Sequence, residues 1–290
     1  HLGEKTLNCK ITITEECKMK TFVVLLVLSG FALSCFAVCP TADLTGDCRV
    51  DLADLAIFAS QWLTEGIPEP DKMVWVSIND PGLPSHEGFN GEMSKYETTN
   101  AQYCQYLNSA IASGDIIVDE SYVKGASGPH SGQNYYNLAG SGLTAYGATN
   151  GGAARVNWTG SSFTVDAGFE NHPVTYVSWY GATAFAGYYG WRLPTEWEWQ
   201  AVADYDGTFN YGCGTTINND IANYYNSVHP HGTTAVGAFG TYGYGVCDMA
   251  GNVSEWTNSF YFASFRVLRG GGWYGSDDLC TVSSWGYGNP

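Results

Sequence analysis

An early segment of the chain carries oxygen-bearing side chains at regular intervals. They occupy positions one, three, five, nine and twelve of a loop: Asp43, Thr45, Asp47, Asp51 and Asp54, with the carbonyl of Arg49 at the seventh position. This spacing can wrap a loop around Ca²⁺, a hard ion that takes about six to eight oxygen ligands. Apolar residues at helical spacing follow the loop. We therefore predict a calcium-binding loop and an exit helix; the alternative is an acidic turn that caps a helix.

A pair of carboxylates near the end of the chain forms a second candidate metal site. Asp248 and Glu255 are separated by a short segment that contains Gly251. Because glycine tolerates a tight turn, the turn could expose backbone carbonyls while both carboxylates close on one cation. The ligands would all be hard oxygens, so Ca²⁺ is favoured over zinc. The alternative is an acidic loop held by its own hydrogen bonds.

Cysteine is another residue type in this chain that could take part in chemistry. Nine occur in the chain, and six follow residue 37: Cys39, Cys48, Cys104, Cys213, Cys247 and Cys280. Outside the cytosol such residues usually form disulfides, and we expect pairing here. The sequence does not select the partners. Cys280 stays open between two roles, a disulfide partner and a metal ligand.

Composition narrows the classes of protein. The chain has 12 Lys+Arg against 28 Asp+Glu, a net charge of −16, 15% aromatic residues and 36 Gly. A nucleic-acid-binding protein needs a basic face, so that class is excluded. The aromatic content argues against a disordered chain, and the glycine content argues against a coiled coil. A compact, loop-rich domain with enough acid to hold hard cations remains.

The chain divides into segments of different character. We read residues 1–18 as an upstream translated segment, 19–37 as a signal peptide, 38–66 as the calcium loop with its helix, 67–72 as a linker, and 73–290 as the main domain. The apolar run from Phe22 to Val38 is too short for a membrane span and fits a secretory signal, with cleavage after Ala37. A lipid anchor at Cys35 and a short buried helix are the alternatives. We expect a secreted, periplasmic or cell-surface protein without a transmembrane segment.

Regular elements in the main domain are few. Amphipathic patterns predict helices over residues 98–111, 178–189 and 194–203, with Thr99 or Asn100 capping the first. In the third, Thr195 and Glu198 form a capping box, which leaves Arg192 to pair with a carboxylate. A hairpin is predicted around residues 155–165. The rest of 112–170 is expected to be a largely irregular insertion.

Five blocks carry the most specific signal: residues 95–108, 172–179, 191–199, 244–256 and 266–273. In order and spacing they resemble the formylglycine-generating enzyme family, also called the sulfatase-modifying factor domain, over residues 73–290. The resemblance implies an α+β fold, a variant of the C-type lectin fold with little regular secondary structure. The small loop–helix module would precede it. The family's domains close with a Gly-Phe-Arg strand beyond the position of Pro290, so we expect a C-terminal truncation.

The early segment resembles one half of a dockerin repeat. It departs from that pattern at Cys48, where glycine is usual, and at Thr45, a weak ligand. Dockerins that bind cohesins carry two repeats and only one is found here, so cohesin binding is unsupported.

The family resemblance also implies metal sites and a reaction. A calcium site would use the side chains of Asp248 and Glu255 and the carbonyls of Gly251 and Val253. A second would begin at Asn223, but residues 227–241 contain no carboxylate to complete it. The family's enzymes oxidise a sulfatase cysteine to formylglycine, using O₂ and copper held by two cysteines.

In this chain Cys280 matches the second copper position, whereas Gly275 occupies the first. One thiolate cannot make a two-thiolate copper site, so formylglycine formation with Cys280 as the catalytic residue should fail unless Cys104, Cys213 or Cys247 supplies the second thiolate. Two functions follow. One is a secreted member of the family linked to formylglycine formation. The other is a non-catalytic, calcium-stabilised, lectin-like module that presents the surface of residues 273–290 to a protein or peptide ligand.

Overall fold

A computed structural model describes residues 70–84, 86–139, 153–225 and 232–290, all within one compact unit, Pro68–Pro290. The predicted signal peptide and the loop from Asp43 to Asp54 lie outside the described residues. So do Cys39 and Cys48. Their assignments stay predictions.

Three α-helices form where the sequence predicts them. They are α1 (Asn100–Ser113), α2 (Trp179–Tyr188) and α3 (Glu196–Asp204). The hydroxyl of Thr99 caps α1 in a capping box, and Ser178 caps α2. At α3 the predicted box is confirmed, because Thr195 and Glu198 exchange hydrogen bonds. Arg192 pairs with Glu198, with two distances of 2.6 Å.

Within the described ranges, ten short strands build four small antiparallel sheets. They are β1 (Trp75–Asp80), β2 (Phe89–Ser94), β3 (Ile116–Asp119), β4 (Tyr122–Gly125), β5 (Asn134–Asn137), β6 (Val156–Trp158), β7 (Phe163–Val165), β8 (Glu255–Phe260), β9 (Arg266–Arg269) and β10 (Gly286–Gly288). The pairings are β1–β2, β3–β4–β5, β6–β7 and β10–β9–β8. A 3₁₀-helix covers Asp277–Cys280. The α+β class is confirmed, as is the β6–β7 hairpin.

The expectation that residues 112–170 are largely irregular outside the hairpin is wrong for the part between Ile116 and Asn137. That part forms the β3–β4–β5 sheet, against which α1 and α2 pack. Its strands are only four residues long and alternate weakly. Aromatic packing stabilises these strands more than the alternation of apolar and polar residues does. The fully buried Tyr136, for example, contacts the ring of Tyr103 at a centroid distance of 5.7 Å.

Aromatic side chains fill the interior. The largest cluster surrounds α1, with Tyr103, Tyr106 and Phe185 in mutual ring contact. A second cluster centres on Trp199 of α3, which is fully buried and packs near Met249. Such rings bury much surface per residue and let a fold with short elements form a dense core. Among the described residues, no helix has the length and apolarity to cross a membrane.

A buried polar network ties β1 to the end of α3. His86 contacts Asp80 through Nε2 at 3.0 Å and Asp204 through Nδ1 at 3.1 Å. The hydroxyl of Tyr244 donates to the same Asp80 carboxylate at 3.1 Å. The imidazole thus bridges two carboxylates that are almost inaccessible to water.

Replacing His86 by leucine should destabilise the fold by about 3–5 kcal/mol, because two buried carboxylates would lose the group between them. Urea denaturation of the variant gives the change in the free energy of unfolding. Glu87→Ala, an exposed neighbour, serves as the control and should change stability by less than about 0.5 kcal/mol. A loss below about 1 kcal/mol for His86→Leu would show that the network is not a stability determinant.

Candidate functional site

The turn between Asp248 and Glu255 has an unusual backbone. Asp248 and Asn252 have φ angles of 58° and 57°, and Gly251 has a φ of 84°. Left-handed residues other than glycine are uncommon and persist only where the surroundings impose them. Here a Cβ on Gly251 would collide with the carbonyl oxygen of Asn223, so the turn requires glycine at this position. The predicted tight turn is therefore present.

Hydrogen bonds to distant segments fix this turn. The amide of Gly251 donates to the carbonyl of Gly270, and the amide of Asn252 donates to the carbonyl of Asn223, both at 2.8 Å. The carbonyl of Asn252 accepts from the amide of Trp273 at 2.8 Å. The turn thus joins the strand end before Gly271 to the segment that contains Asn223.

Glu97 is the site residue that sequence reasoning missed. It lies just before α1, and its carboxylate accepts hydrogen bonds from Asn252 Nδ2 at 2.6 Å and from the Val253 amide at 3.0 Å. The contact spans more than 150 positions of sequence. One signal was available: Glu97 is the carboxylate of the 95–108 block, yet the capping of α1 uses Thr99 and Gln102 instead.

Glu97, Asp248 and Glu255 form a group of carboxylates in a poorly hydrated setting. Burial raises the pKa of Asp248 to about 6, although its carboxylate accepts a hydrogen bond from the Gly237 amide, which acts in the opposite direction. Burial also raises the pKa of half-buried Glu255 to about 7, and the charge of Asp248 adds to the rise. For Glu97, burial and then the charges of the other two raise the pKa well above its usual value.

The structure brings the predicted ligand residues to one turn. Asp248 and Glu255 lie close enough for each charge to be felt at Glu97, and Gly251 and Val253 lie between them along the chain. Across the described ranges, no group of three or more His, Cys, Asp or Glu side chains has the arrangement of a metal site. The predicted calcium set depends on two carboxylates and two carbonyls, so calcium stays a prediction.

Asn223, the first residue of the predicted second calcium site, is fully buried. Its amide nitrogen donates to the Gly232 carbonyl at 3.0 Å, but its Oδ1 has no hydrogen-bond partner. An unpartnered buried oxygen is costly, and a hard cation would satisfy it. Residues 232–241 supply no carboxylate beside it.

Cys280 is completely buried at the end of the 3₁₀-helix. Burial raises its thiol pKa to about 11, so the group is a neutral thiol near pH 7. Cys213 lies in the same buried cluster, and its pKa is raised to about 12. Position 275 is glycine, and a Cβ there would meet Leu279 Cδ1 at 3.3 Å. No second thiol therefore occupies the predicted copper position.

The expected disulfides are absent among the four described cysteines, and this part of the cysteine prediction is wrong. Cys104, Cys213, Cys247 and Cys280 are all free and buried. Cys104 lies in the aromatic cluster around α1, whereas Cys213 and Cys280 lie in the cluster beside Ala222 and Ala250. They pack as small apolar side chains.

A cavity of about 550 Å³ adjoins the carboxylates. Glu97 and Glu255 line it together with aromatic residues, among them Trp75, Trp191 and Trp256. On another part of the domain, the 273–290 segment exposes large side chains: Tyr274, Leu279, Trp285 and Tyr287. Tyr261 joins this surface, with its ring centroid 4.6 Å from those of both Trp285 and Tyr287.

Comparison with known proteins places these features in a family. Residues 86–289 match the model of the sulfatase-modifying factor enzyme 1-like domain. A serine/threonine-protein kinase pkn1 of Chlamydia caviae is 36% identical over 148 residues, which are 43% of this chain and 23% of that protein. An inactive C-alpha-formylglycine-generating enzyme 2 of Bos taurus is 37% identical over 121 residues, 37% of this chain and 40% of the relative.

A formylglycine-generating enzyme of Mycobacterium tuberculosis is 35% identical over 108 residues, 33% of this chain and 36% of the relative. The chain thus spans well under half the length of each of these relatives. The crystal structure of CarF superposes with a TM-score of 0.51 at 20% identity, covering 75% of this chain and 93% of CarF. At this level of identity the similarity to CarF shows a shared fold and nothing about function.

The three carboxylates predict a pH-dependent stability. Because their pKa values are raised in the folded state, the folded protein holds more protons than the unfolded chain between about pH 4.5 and 7. The free energy of unfolding in chelator should therefore fall as the pH rises through that window, by about 3 kcal/mol for Glu255 alone. Urea denaturation from pH 4.5 to 8 measures the slope.

Asp248→Asn should make this slope shallower, since it removes one titrating group and one charge acting on Glu97 and Glu255. Asp220→Asn, at an exposed carboxylate, is the matched control and should leave the slope unchanged. A stability that is flat or rises with pH in the parent protein would contradict the raised pKa values.

Proposed function

The chain belongs to the family of sulfatase-modifying factor enzyme 1-like domains, and we propose that it acts outside the cytosol as a calcium-stabilised binding module that does not generate formylglycine. The observation that carries this proposal is the pair Gly275 and Cys280. One position has no side chain, and the other holds a neutral, fully buried thiol. The scaffold is kept while the two-thiolate copper site is incomplete.

The residues present do not fit copper as the family's enzymes hold it. A Cu(I) ion is favoured by two soft thiolates, and only Cys280 occupies the expected loop. Cys213 is the one other described thiol in the same cluster, and it lies outside the loop from Gly275 to Cys280. Cys104 and Cys247 lie in other surroundings, with Cys247 bordering the cavity.

Membership of the family does not by itself decide between the two functions. The relatives include a formylglycine-generating enzyme and an inactive form of such an enzyme, at nearly the same identity to this chain. The distinction therefore rests on the loop from Gly275 to Cys280, where this chain lacks one thiol.

The 273–290 surface supports a binding role. Its exposed aromatic side chains are large and rigid, and tyrosine and tryptophan supply much contact area at a low cost in conformational entropy. We propose a protein or peptide ligand there.

Peptides that bind the purified protein can be selected from a displayed library. They should lose binding to a Trp285→Ala, Tyr287→Ala double variant. They should keep binding to Ile117→Ala, a change at an exposed apolar residue of β3.

Calcium is proposed at two places. The turn would offer the carboxylates of Asp248 and Glu255 with the carbonyls of Gly251 and Val253. The other place is the loop from Asp43 to Asp54.

We also propose that the apolar run that begins at Phe22 directs export, with cleavage after Ala37. N-terminal sequencing of protein recovered outside the cytosol should then give a sequence that begins after Ala37.

The copper argument has a direct test. The unmodified protein should neither bind Cu(I) stoichiometrically nor form an aldehyde on a Cys-x-Pro-x-Arg peptide. Gly275→Cys should gain binding of one Cu(I) per chain, because the nearest obstacle to its Cβ is the flexible end of Leu279. Gly275→Ser is the matched control, with a similar volume and no thiol.

Stoichiometric Cu(I) binding with aldehyde formation by the unmodified protein would overturn the proposal. The variant Cys213→Ser then shows whether that residue supplies the second thiolate. If Gly275→Cys does not bind Cu(I), the loop cannot hold a two-thiolate site even when both residues are present.

Calcium should raise the melting temperature of the protein over that in chelator, since a ligand that binds only the folded state stabilises it. Asp248→Asn should remove most of the increase, whereas Asp220→Asn should retain it. The increase should grow with pH between 5 and 8, as ionised carboxylates are the ligands. Equal melting temperatures with calcium and with chelator at every pH would refute a structural role for calcium.

A further inference from the structure

The cavity beside Glu97 borders the turn, since Val253 and Glu255 line it, whereas no residue of the 273–290 segment does. Its walls come from the β1–β2 hairpin, the start of α1, the middle of α2, the segment 191–194 before α3 and the segment 253–256. At about 550 Å³ it falls within the range of about 300–1,000 Å³ that is usual for small-molecule sites. The predicted functions make no use of it.

Two carboxyl groups line the cavity without a cationic partner among the described residues. Glu97 is bonded only by the neutral donors Asn252 and Val253, and Glu255 accepts from the indole N–H of Trp199 at 2.8 Å. Neither carboxylate forms an ion pair with any described residue. A buried carboxylate without a cationic partner is costly, so a bound cation would be strongly favoured.

The basic groups nearest in sequence to this wall are already engaged. Arg192, which also lines the cavity, is paired with Glu198 through both of its terminal nitrogens. Lys95 holds its ammonium 5.3 Å from the ring centroid of Tyr96. Neither of these two residues therefore neutralises Glu97, and a cationic ligand bound in calcium-free protein could do so.

The remaining wall selects the kind of cation. Trp75 and Trp191 meet edge to face with centroids 4.7 Å apart, and Phe89, Tyr96 and Trp256 add further aromatic surface. Aromatic faces attract organic cations and offer no ligands to a hydrated metal ion. A ligand with an apolar body and one ammonium or guanidinium group could contact the aromatic wall and pair with the carboxylates at the same time.

We propose that this cavity binds an organic cation, with the ammonium or guanidinium group at Glu97 and Glu255 and the apolar body against Trp75 and Trp191. The ligand class is a primary amine or guanidine with a compact hydrophobic body. The inference does not depend on the absence of oxidase activity, since none of these residues belongs to the Gly275–Cys280 loop.

The test compares probes that differ only in charge. Binding of 3-phenylpropylamine, 3-phenylpropylguanidine and the uncharged 3-phenylpropan-1-ol to the full chain is measured in chelator by calorimetry, with tryptophan fluorescence as a second readout. At least one charged probe should bind about tenfold or more tightly than the alcohol. Glu97→Gln should reduce the binding of that probe to the level of the alcohol, and Glu87→Gln should not.

A second variant guards against a loss of folding in Glu97→Gln. Glu255→Gln keeps an amide oxygen for the indole N–H of Trp199 and removes the charge, so it should fold and bind the charged probes about tenfold more weakly. The proposal is overturned if neither charged probe binds more tightly than the alcohol. It is also overturned if neither variant weakens their binding.

Discussion

Glu97 and the turn at residues 251–253 hold each other in place, and the arrangement of the site depends on that contact. The carboxylate takes both the Asn252 side chain and the Val253 amide, and the same turn is bonded on its other side to Asn223 and Gly270. Asp248 and Asn252 have positive φ, a conformation that residues other than glycine rarely adopt unless their surroundings impose it. Segments from three parts of the domain are thereby joined at one point.

This contact has an electrostatic cost that shapes the neighbouring chemistry. Burial of Glu97, Asp248 and Glu255 in a region that excludes water raises all three pKa values, and the charges of Asp248 and Glu255 raise that of Glu97 further. Neutral hydrogen-bond donors offset part of the cost but supply no charge. The same carboxylates therefore create a demand for cations on two sides, from the turn with its hard oxygens and from the aromatic cavity.

Features that depend on neighbouring residues could be predicted from the sequence, whereas those made by distant contacts could not. The capping box of Thr195 and Glu198 and the pair with Arg192 are local, and both are present. The role of Glu97 was missed because its partners lie more than 150 positions away. The β3–β4–β5 sheet was missed because strands of four residues carry too little alternation, and aromatic packing on α1 and α2 decides their conformation.

The burial of Cys280 gives this side chain a packing role that requires no metal. A Cβ on Gly271 would come within 2.7 Å of the Cys280 sulfur, so the thiol fills the space left by a glycine with a φ of 74°. Its other neighbours are the small residues Ala222 and Ala250 and the thiol Cys213. A larger side chain would clash there. Packing alone therefore favours a cysteine, and its presence is not by itself a sign of redox chemistry.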